Sequence, residues 1–289
     1  MDISEIKREL SQKGFCIVPD ALTSEEVEKC VGWFREWQSS IPDHDYQHEK
    51  LSPHGIYKFH EAGHQRHAWY IRTRPKVKDV FKGLWDTNEL VVSFDGSCYI
   101  PKSLKKKDNI WTHTDQGPGK KGLHCIQGYV ALTTNKERTF VCYEGTHNIH
   151  EKYFADRGIK KGGDWQLIEH SVVNSMKNYK RVNHVKAGSL VLWDSRVFHQ
   201  NQYGKPGSEE RIVQYVCYLP KNHEKNTLAM RKKRQKYFNE RRTTSHWPCP
   251  IKVNGLQGRN FGNERLVIDY SRLREPDLSD MIEEIQELL

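Results

Sequence analysis

The spacing of apolar side chains gives the chain three textures. In "ISEIKREL" the apolar positions 3, 6 and 10 repeat at helical intervals, which predicts a short helix stopped by Gly14. "FCIVPD" then reads as a brief strand. In "TSEEVEKCVGWFREW", Thr23 and Glu26 form a capping box, and Val27, Cys30, Val31 and Phe34 share one face, so a helix is expected from about 24 to 38. Residues 40–75 are rich in His, Pro and Gly and have no clear period. From 90 onward the pattern changes to short β-like runs: "LVVSF", "HCIQGYVALTT", "TFVCYE", "VNHVKAG", "SLVLWDS" and "RIVQYVCYLP". Turn formers such as "GPGKKG", "TTNKER" and "KAGS" separate them. Residues 145–180 read as a long insertion. Residues 221–247 read as helical, and "PDLSDMIEEIQELL" as a final amphipathic helix with apolar positions 278, 281, 282, 285, 288 and 289.

Many short strands between turns predict a mainly β sandwich or barrel with flanking α-helices. The 289 residues suffice for one domain with a sizeable core, and no internal repeat or linker divides them. The expected organisation is a single domain over 1–289, with N-terminal helices in 1–40, a β core over 90–220, and a basic segment and C-terminal helix over 221–289.

Charge changes the picture at one place. Of the net +9, a net +7 lies between Lys221 and Arg242, where nine Lys/Arg oppose two Glu. A basic segment on a nearly neutral chain therefore needs an explanation. Three readings are open: a solvated helix or lid, a contact for an anionic small molecule or lipid, or a nucleic-acid-binding module. The mean hydropathy is −0.83, and no apolar run approaches the roughly 20 residues of a membrane helix. The charged N-terminus lacks a secretory pattern, and the terminal "IQELL" is not a peroxisomal S-K-L address. Seven Cys without a C-x-x-C pair read as reduced thiols, so a cytoplasmic, intracellular protein is expected.

The candidate chemistry begins at "WTHTDQG", residues 111–117. In an extended segment, side chains two apart point to the same side, so His113 and Asp115 converge. A third ligand is available at His199, where the apolar strand in "LVLWDSRVFHQN" ends. Two imidazoles and one carboxylate on one face of a metal leave its other positions open, an arrangement suited to a non-haem Fe(II) oxygenase. Arg211 opens the next strand, and a buried guanidinium can grip a carboxylate in bidentate fashion.

Together, "HTD" at 113–115, "GSLVLWDSRVFHQN" at 188–201 and "RIVQYVCYLP" at 211–220 resemble the phytanoyl-CoA dioxygenase-like family. "YEGTHNIHEKYF" at 143–154 is similar to a turn between the family's metal motifs, and "GFCIVPDALTSEEVE" to its opening strand and helix. The likeness covers roughly 14–37 and 90–220. It implies a double-stranded β-helix, or cupin-like jelly roll, and an Fe(II)- and 2-oxoglutarate-dependent dioxygenase that uses O2, with ascorbate as an accessory reductant. It also implies that His113, Asp115 and His199 are the catalytic metal ligands and that Arg211 binds the distal carboxylate of 2-oxoglutarate. Gln127 and Asn201 are further co-substrate candidates, each with a structural alternative: a strand Gln facing solvent, and an Asn shaping a turn. Related halogenases replace the metal carboxylate by a small residue, so Asp115 implies hydroxylation of a small-molecule substrate, an anionic one among the readings, with release of succinate and carbon dioxide. His147 and His150 are expected to orient the insertion rather than bind metal.

A rival motif lies in "FHEAGHQRH", where His60-Glu61-x-x-His64 matches the zinc-protease pattern. Gly63 weakens a helix there, no apolar stripe flanks it, and His67 stands where the elongated form of the motif has Gly. The segment is expected to lie over the β core beside the substrate mouth. A basic, nucleic-acid-directed oxygenase using 221–242 is the remaining alternative.

Overall fold

The computed structural model describes residues 1–289. Eleven strands and nine α-helices succeed one another along the chain. Helix α1 (Ile3–Lys13) ends at Gly14, whose φ of 83° supplies the left-handed cap and whose N–H bonds the Leu10 carbonyl. Strand β1 (Phe15–Val18) follows, then α2 (Ser24–Ser39) with the Thr23/Glu26 capping box formed on both sides. Three further helices, α3 (His44–Leu51), α4 (Arg66–Thr73) and α5 (Pro75–Trp85), occupy the stretch that has no clear period in sequence. The reason is visible in α4: His67, Ala68, Trp69, Ile71, Arg72 and Thr73 are all buried. A helix buried on nearly every side has no polar face to reveal its period.

The strands are β2 (Leu90–Val92), β3 (Ser97–Ile100), β4 (His113–Thr114), β5 (Ile126–Ala131), β6 (Phe140–Tyr143), β7 (Gln166–Leu167), β8 (Lys180–Val182), β9 (Leu190–Asp194), β10 (His199–Asn201) and β11 (Arg211–Pro220). They form two antiparallel sheets. One runs β1-β9-β5-β11-β2, with β3 also on β11; the other runs β7-β4-β10-β6-β8. This is the mainly β, helix-flanked jelly roll expected. Between the sheets lie Tyr129, Ala131, Phe140, Val191, Trp193 and Val213, whose apolar contacts hold the two layers together. On the outer side of the larger sheet, α2, α4 and α5 bury Phe34, Trp69 and Phe81 against strand residues such as Ile212 and Tyr218.

The 145–180 insertion carries α6 (His150–Ala155), β7 and α7 (His170–Ser175) and ends on the first residue of β8. In the basic segment only Leu228–Asn239 is helical (α8), and at the C-terminus only Ile282–Glu287 (α9). All seven cysteines are free and buried, and no helix is long and apolar enough to cross a membrane.

Candidate metal centre

The sheet register assembles the site. His199 on β10 lies directly opposite His113 on β4, so two strands remote in sequence present facing imidazoles. Asp115 follows β4, and its N–H donates to the Ser195 carbonyl at 3.0 Å, which ties the end of "HTD" to the turn before His199. The Nε2 atoms of His199 and His113 stand 3.1 Å and 3.7 Å from the two Asp115 oxygens. One ligand atom from each of His113, Asp115 and His199 lies within 4.8 Å of the others, and this is the one such group of His, Cys, Asp or Glu in the chain.

The surroundings prepare these groups to be ligands. His113 Nδ1 bonds the Trp111 carbonyl at 3.0 Å and His199 Nδ1 the Val197 carbonyl at 2.9 Å. A carbonyl only accepts, so each Nδ1 carries the proton and each Nε2 presents its lone pair to the centre. Burial, reinforced by His199, pushes His113 down to about 3, which keeps the ring neutral. Burial alone would raise the Asp115 carboxyl, but the neighbouring histidines hold it well below the usual carboxylate range.

Gln127 does not face solvent: its Nε2 donates to Asp115 Oδ2 at 2.8 Å, so its place is behind the metal carboxylate. Asn201 Oδ1 accepts from Arg211 Nη2 at 3.0 Å, and its Nδ2 donates to the Tyr215 hydroxyl at 2.9 Å. Arg211 is fully buried, 5.0 Å from the Tyr129 ring centroid. Its Nη1 meets the Arg138 carbonyl at 3.4 Å, and no carboxylate pairs with it. Arg211 Nε and the Tyr129 hydroxyl both lack a partner. A buried guanidinium with an orphaned donor is costly unless an anion completes it, so these residues fit the distal carboxylate of 2-oxoglutarate.

The rival motif is not a site. His60 and Glu61 have φ of 59° and 54°, which break any helix at the point where a zinc protease needs one. A Cβ on Gly63 would stand 2.0 Å from the Phe94 carbonyl oxygen, so the tight turn is built into the packing. His60 bonds Gln47, His64 bonds the Arg242 carbonyl, and Glu61 pairs with Arg241 at 3.0 Å. His147 and His150 bond the Ser11 and Gln116 carbonyls, tying the insertion to the core.

A cavity of about 690 Å³ opens on the metal-capable triad. His54, Asp95, Trp165, Ser245, His246 and Trp247 line it beside His113, Asp115, His199, Gln127 and Asn201, while Arg211 bonds Asn201 without itself lining it. The first six were missed because they come from separate irregular segments that carry no spacing signal. Of the readings open for 221–242, a lid on the cavity is not met: none of those residues lines it. The following segment, 244–254, does so instead. Arg234, counted in sequence as surface charge, is buried and bonds Asn226 and the Pro248 carbonyl.

Residues 10–202 match the family described as phytanoyl-CoA dioxygenase (PhyH). The chain belongs to this family. Among similar proteins, Ava biosynthesis cluster protein O of Aspergillus versicolor is 28% identical over 240 residues, 74% of this chain and 76% of that protein. Among solved structures, the nickel complex of ThoJ, a non-heme monooxygenase, superposes with a TM-score of 0.51 at 16% identity, covering 76% of this chain and 78% of the other. GIG2 of Candida albicans gives 0.55 at 13% identity, covering 75% of this chain and 63% of its own. The PhyH match ends one residue after Asn201, so Arg211 and the cavity-lining segment 244–254 lie beyond it.

Proposed function

We propose that this PhyH-family chain is an Fe(II)- and 2-oxoglutarate-dependent dioxygenase that hydroxylates a small molecule. The observation that carries the reading is the buried His113/Asp115/His199 group facing the cavity, with the uncompensated Arg211 guanidinium on the facing sheet, bonded to Asn201 two residues past His199. Iron with 2-oxoglutarate and O2 supplies an oxidant for an unactivated C–H bond, with succinate and carbon dioxide released.

The chain's own residues do the rest. His113 and His199 offer Nε2 because their Nδ1 protons are committed to backbone carbonyls. Gln127 orients Asp115, which stays ionised. Arg211, steadied by Asn201, grips the distal carboxylate of the co-substrate and leaves its keto-acid end for the metal. The carboxylate of Asp115 occupies the position that would otherwise be open to halide, which supports hydroxylation over halogenation.

Anaerobic native mass spectrometry should find one Fe(II) and one 2-oxoglutarate per chain, and aerobic incubation should release succinate. Absence of both bound species would end this reading.

A further inference from the structure

The segment Thr243–Asn254 is the least expected part of the cavity. It lies outside the family match, yet Thr244, Ser245, His246, Trp247, Lys252 and Asn254 all line the space above the metal-capable triad. It is firmly held. The Thr244 N–H donates to the Phe94 carbonyl, Thr244 forms a β-bridge with Val253, and Arg234 bonds the Pro248 carbonyl at 2.6 Å.

His246 has no hydrogen bond to any group in the chain. Its Nε2 is buried without a partner, as are Ser245 Oγ and Trp247 Nε1 on either side. Its Nδ1 also has no partner and, unlike Nε2, is not sealed from solvent. Burial lowers its basicity, so the ring is a neutral donor or acceptor. The three sealed atoms are out of a ligand's reach, so the group this stretch offers to the cavity is the unbonded His246 Nδ1.

The other wall is aromatic. Trp111 stacks on His54 at 3.6 Å and on His113 at 4.8 Å. Trp165, half exposed at 51%, has its ring centroid 5.4 Å from that of His113. Flat apolar faces beside the metal ligand suit a ring better than a flexible chain.

No buried, unpaired cation lines this wall to receive an anion. Lys252 is already paired with Asp164 at 3.1 Å, and Asp164 also holds Lys120. Lys58 is exposed to solvent, and burial favours the neutral form of Asp95 in the lining. Arg211 is assigned to the co-substrate.

We infer that Ser245-His246-Trp247 is the substrate-orienting wall, and that the prime substrate is a neutral, ring-containing molecule whose carbonyl or hydroxyl bonds His246 while its ring lies against Trp165. This rests on the oxygenase reading of the cavity. It makes His246 a specificity residue that the family motifs do not contain.

The test uses the full chain loaded anaerobically with Zn(II) and 2-oxoglutarate. Ligand-observed NMR titrations follow 2-quinolone, a neutral two-ring lactam, and 2-naphthoate, of similar ring area with a full negative charge. 2-Quinolone should bind saturably at about 1 mM or tighter, an ordinary value for a ligand of that size, and 2-naphthoate at least about tenfold more weakly. His246→Ala should weaken 2-quinolone about tenfold, the loss of one hydrogen bond, and His246→Asn should restore most of it. Trp165→Ala should weaken it comparably. Equal or tighter binding of 2-naphthoate, no saturable binding of 2-quinolone, or an unaffected His246→Ala overturns the proposal. So does equal loss in His246→Ala and His246→Asn with lowered Tm, which would make the ring merely structural. Failure to bind Zn(II) or 2-oxoglutarate in prior calorimetry would sink the oxygenase reading alone, because 2-quinolone can still be titrated against the metal-free chain.

Discussion

Asp115 faces both imidazoles and accepts from Gln127, so its removal takes away a ligand and leaves the Gln127 amide without its acceptor. Asp115→Ala should lose Fe(II) in native mass spectrometry and abolish succinate formation; retained iron would assign the metal elsewhere. Arg211→Ala should raise the apparent 2-oxoglutarate constant tens-fold or more, because truncating one side of a buried charge pair costs roughly 2–5 kcal/mol. Arg211→Lys should rescue it poorly, since an ammonium cannot reproduce the planar fork that meets Asn201 and a carboxylate together. An unchanged constant in Arg211→Ala would move the role to another cation. Asp95 gives a pH dependence of its own. Burial, against the Gly96 N–H and Arg72, pushes its carboxyl up to about 7. Between the ordinary carboxylate range and that value, the folded chain holds a proton that the unfolded chain has released, so stability falls as pH rises through the window. In chelator-treated protein, the Tm of Asp95→Asn relative to wild type should therefore climb from pH 4 to pH 7 and then level off. A gap independent of pH would remove Asp95 titration from the account.

At the scale of elements, legibility followed whether an element has two unlike faces or a fixed motif. Helix α2 was readable to within a residue because its capping box and apolar stripe are local. Strands β5, β9 and β11 were readable as apolar runs between turns. Helix α4 was not, because its core face includes Arg72, whose guanidinium bonds the Gly63 and Asp95 carbonyls. The triad was legible through side-chain alternation and a strand-end histidine, whereas Gln127 is placed by a contact across the sheet that no spacing announces. The cavity wall at Ser245-His246-Trp247 was illegible for the same reason: it is positioned by Phe94 and Arg234, far away in sequence. The turn at 60–64 makes the converse point, since a motif can match in letters and fail in backbone. Glu61 joins Arg241, which also pairs with Glu275, so it clamps the turn to the C-terminal segment. Glu61→Gln should leave succinate formation within a few-fold of wild type and lower Tm modestly, because a half-exposed pair of this kind contributes about 1 kcal/mol or less. A zinc-dependent peptidase activity lost in that variant would contradict the assignment.

For the whole molecule, the net charge of +9 resolves into two unlike populations. Arg231, Lys232 and Lys233 are exposed on α8, while their neighbour Arg234 points inward to Asn226, Pro248 and Cys249. Apart from one bond from Arg231 Nε to the Asn226 carbonyl at 3.2 Å, these three act through the long-range field, which salt screens over about 8 Å at physiological ionic strength. None of them lines the cavity. Replacing all three by Gln should thus leave the 2-oxoglutarate constant, its salt dependence and Tm close to wild type. Arg234 is a different matter, because it joins α8 to the segment that carries His246. Arg234→Met keeps much of the volume but leaves the Asn226 and Pro248 oxygens unpaired, at about 1–3 kcal/mol for each buried group left unsatisfied. It should lower Tm by several degrees and loosen the cavity wall. Hydrogen exchange should then quicken at the Thr244 amide, which bonds the Phe94 carbonyl, while the β5 and β9 amides of the jelly roll remain protected. If instead the triple-Gln variant loses stability or activity and Arg234→Met does not, the basic helix acts through its surface charge and the link between α8 and the cavity wall is wrong.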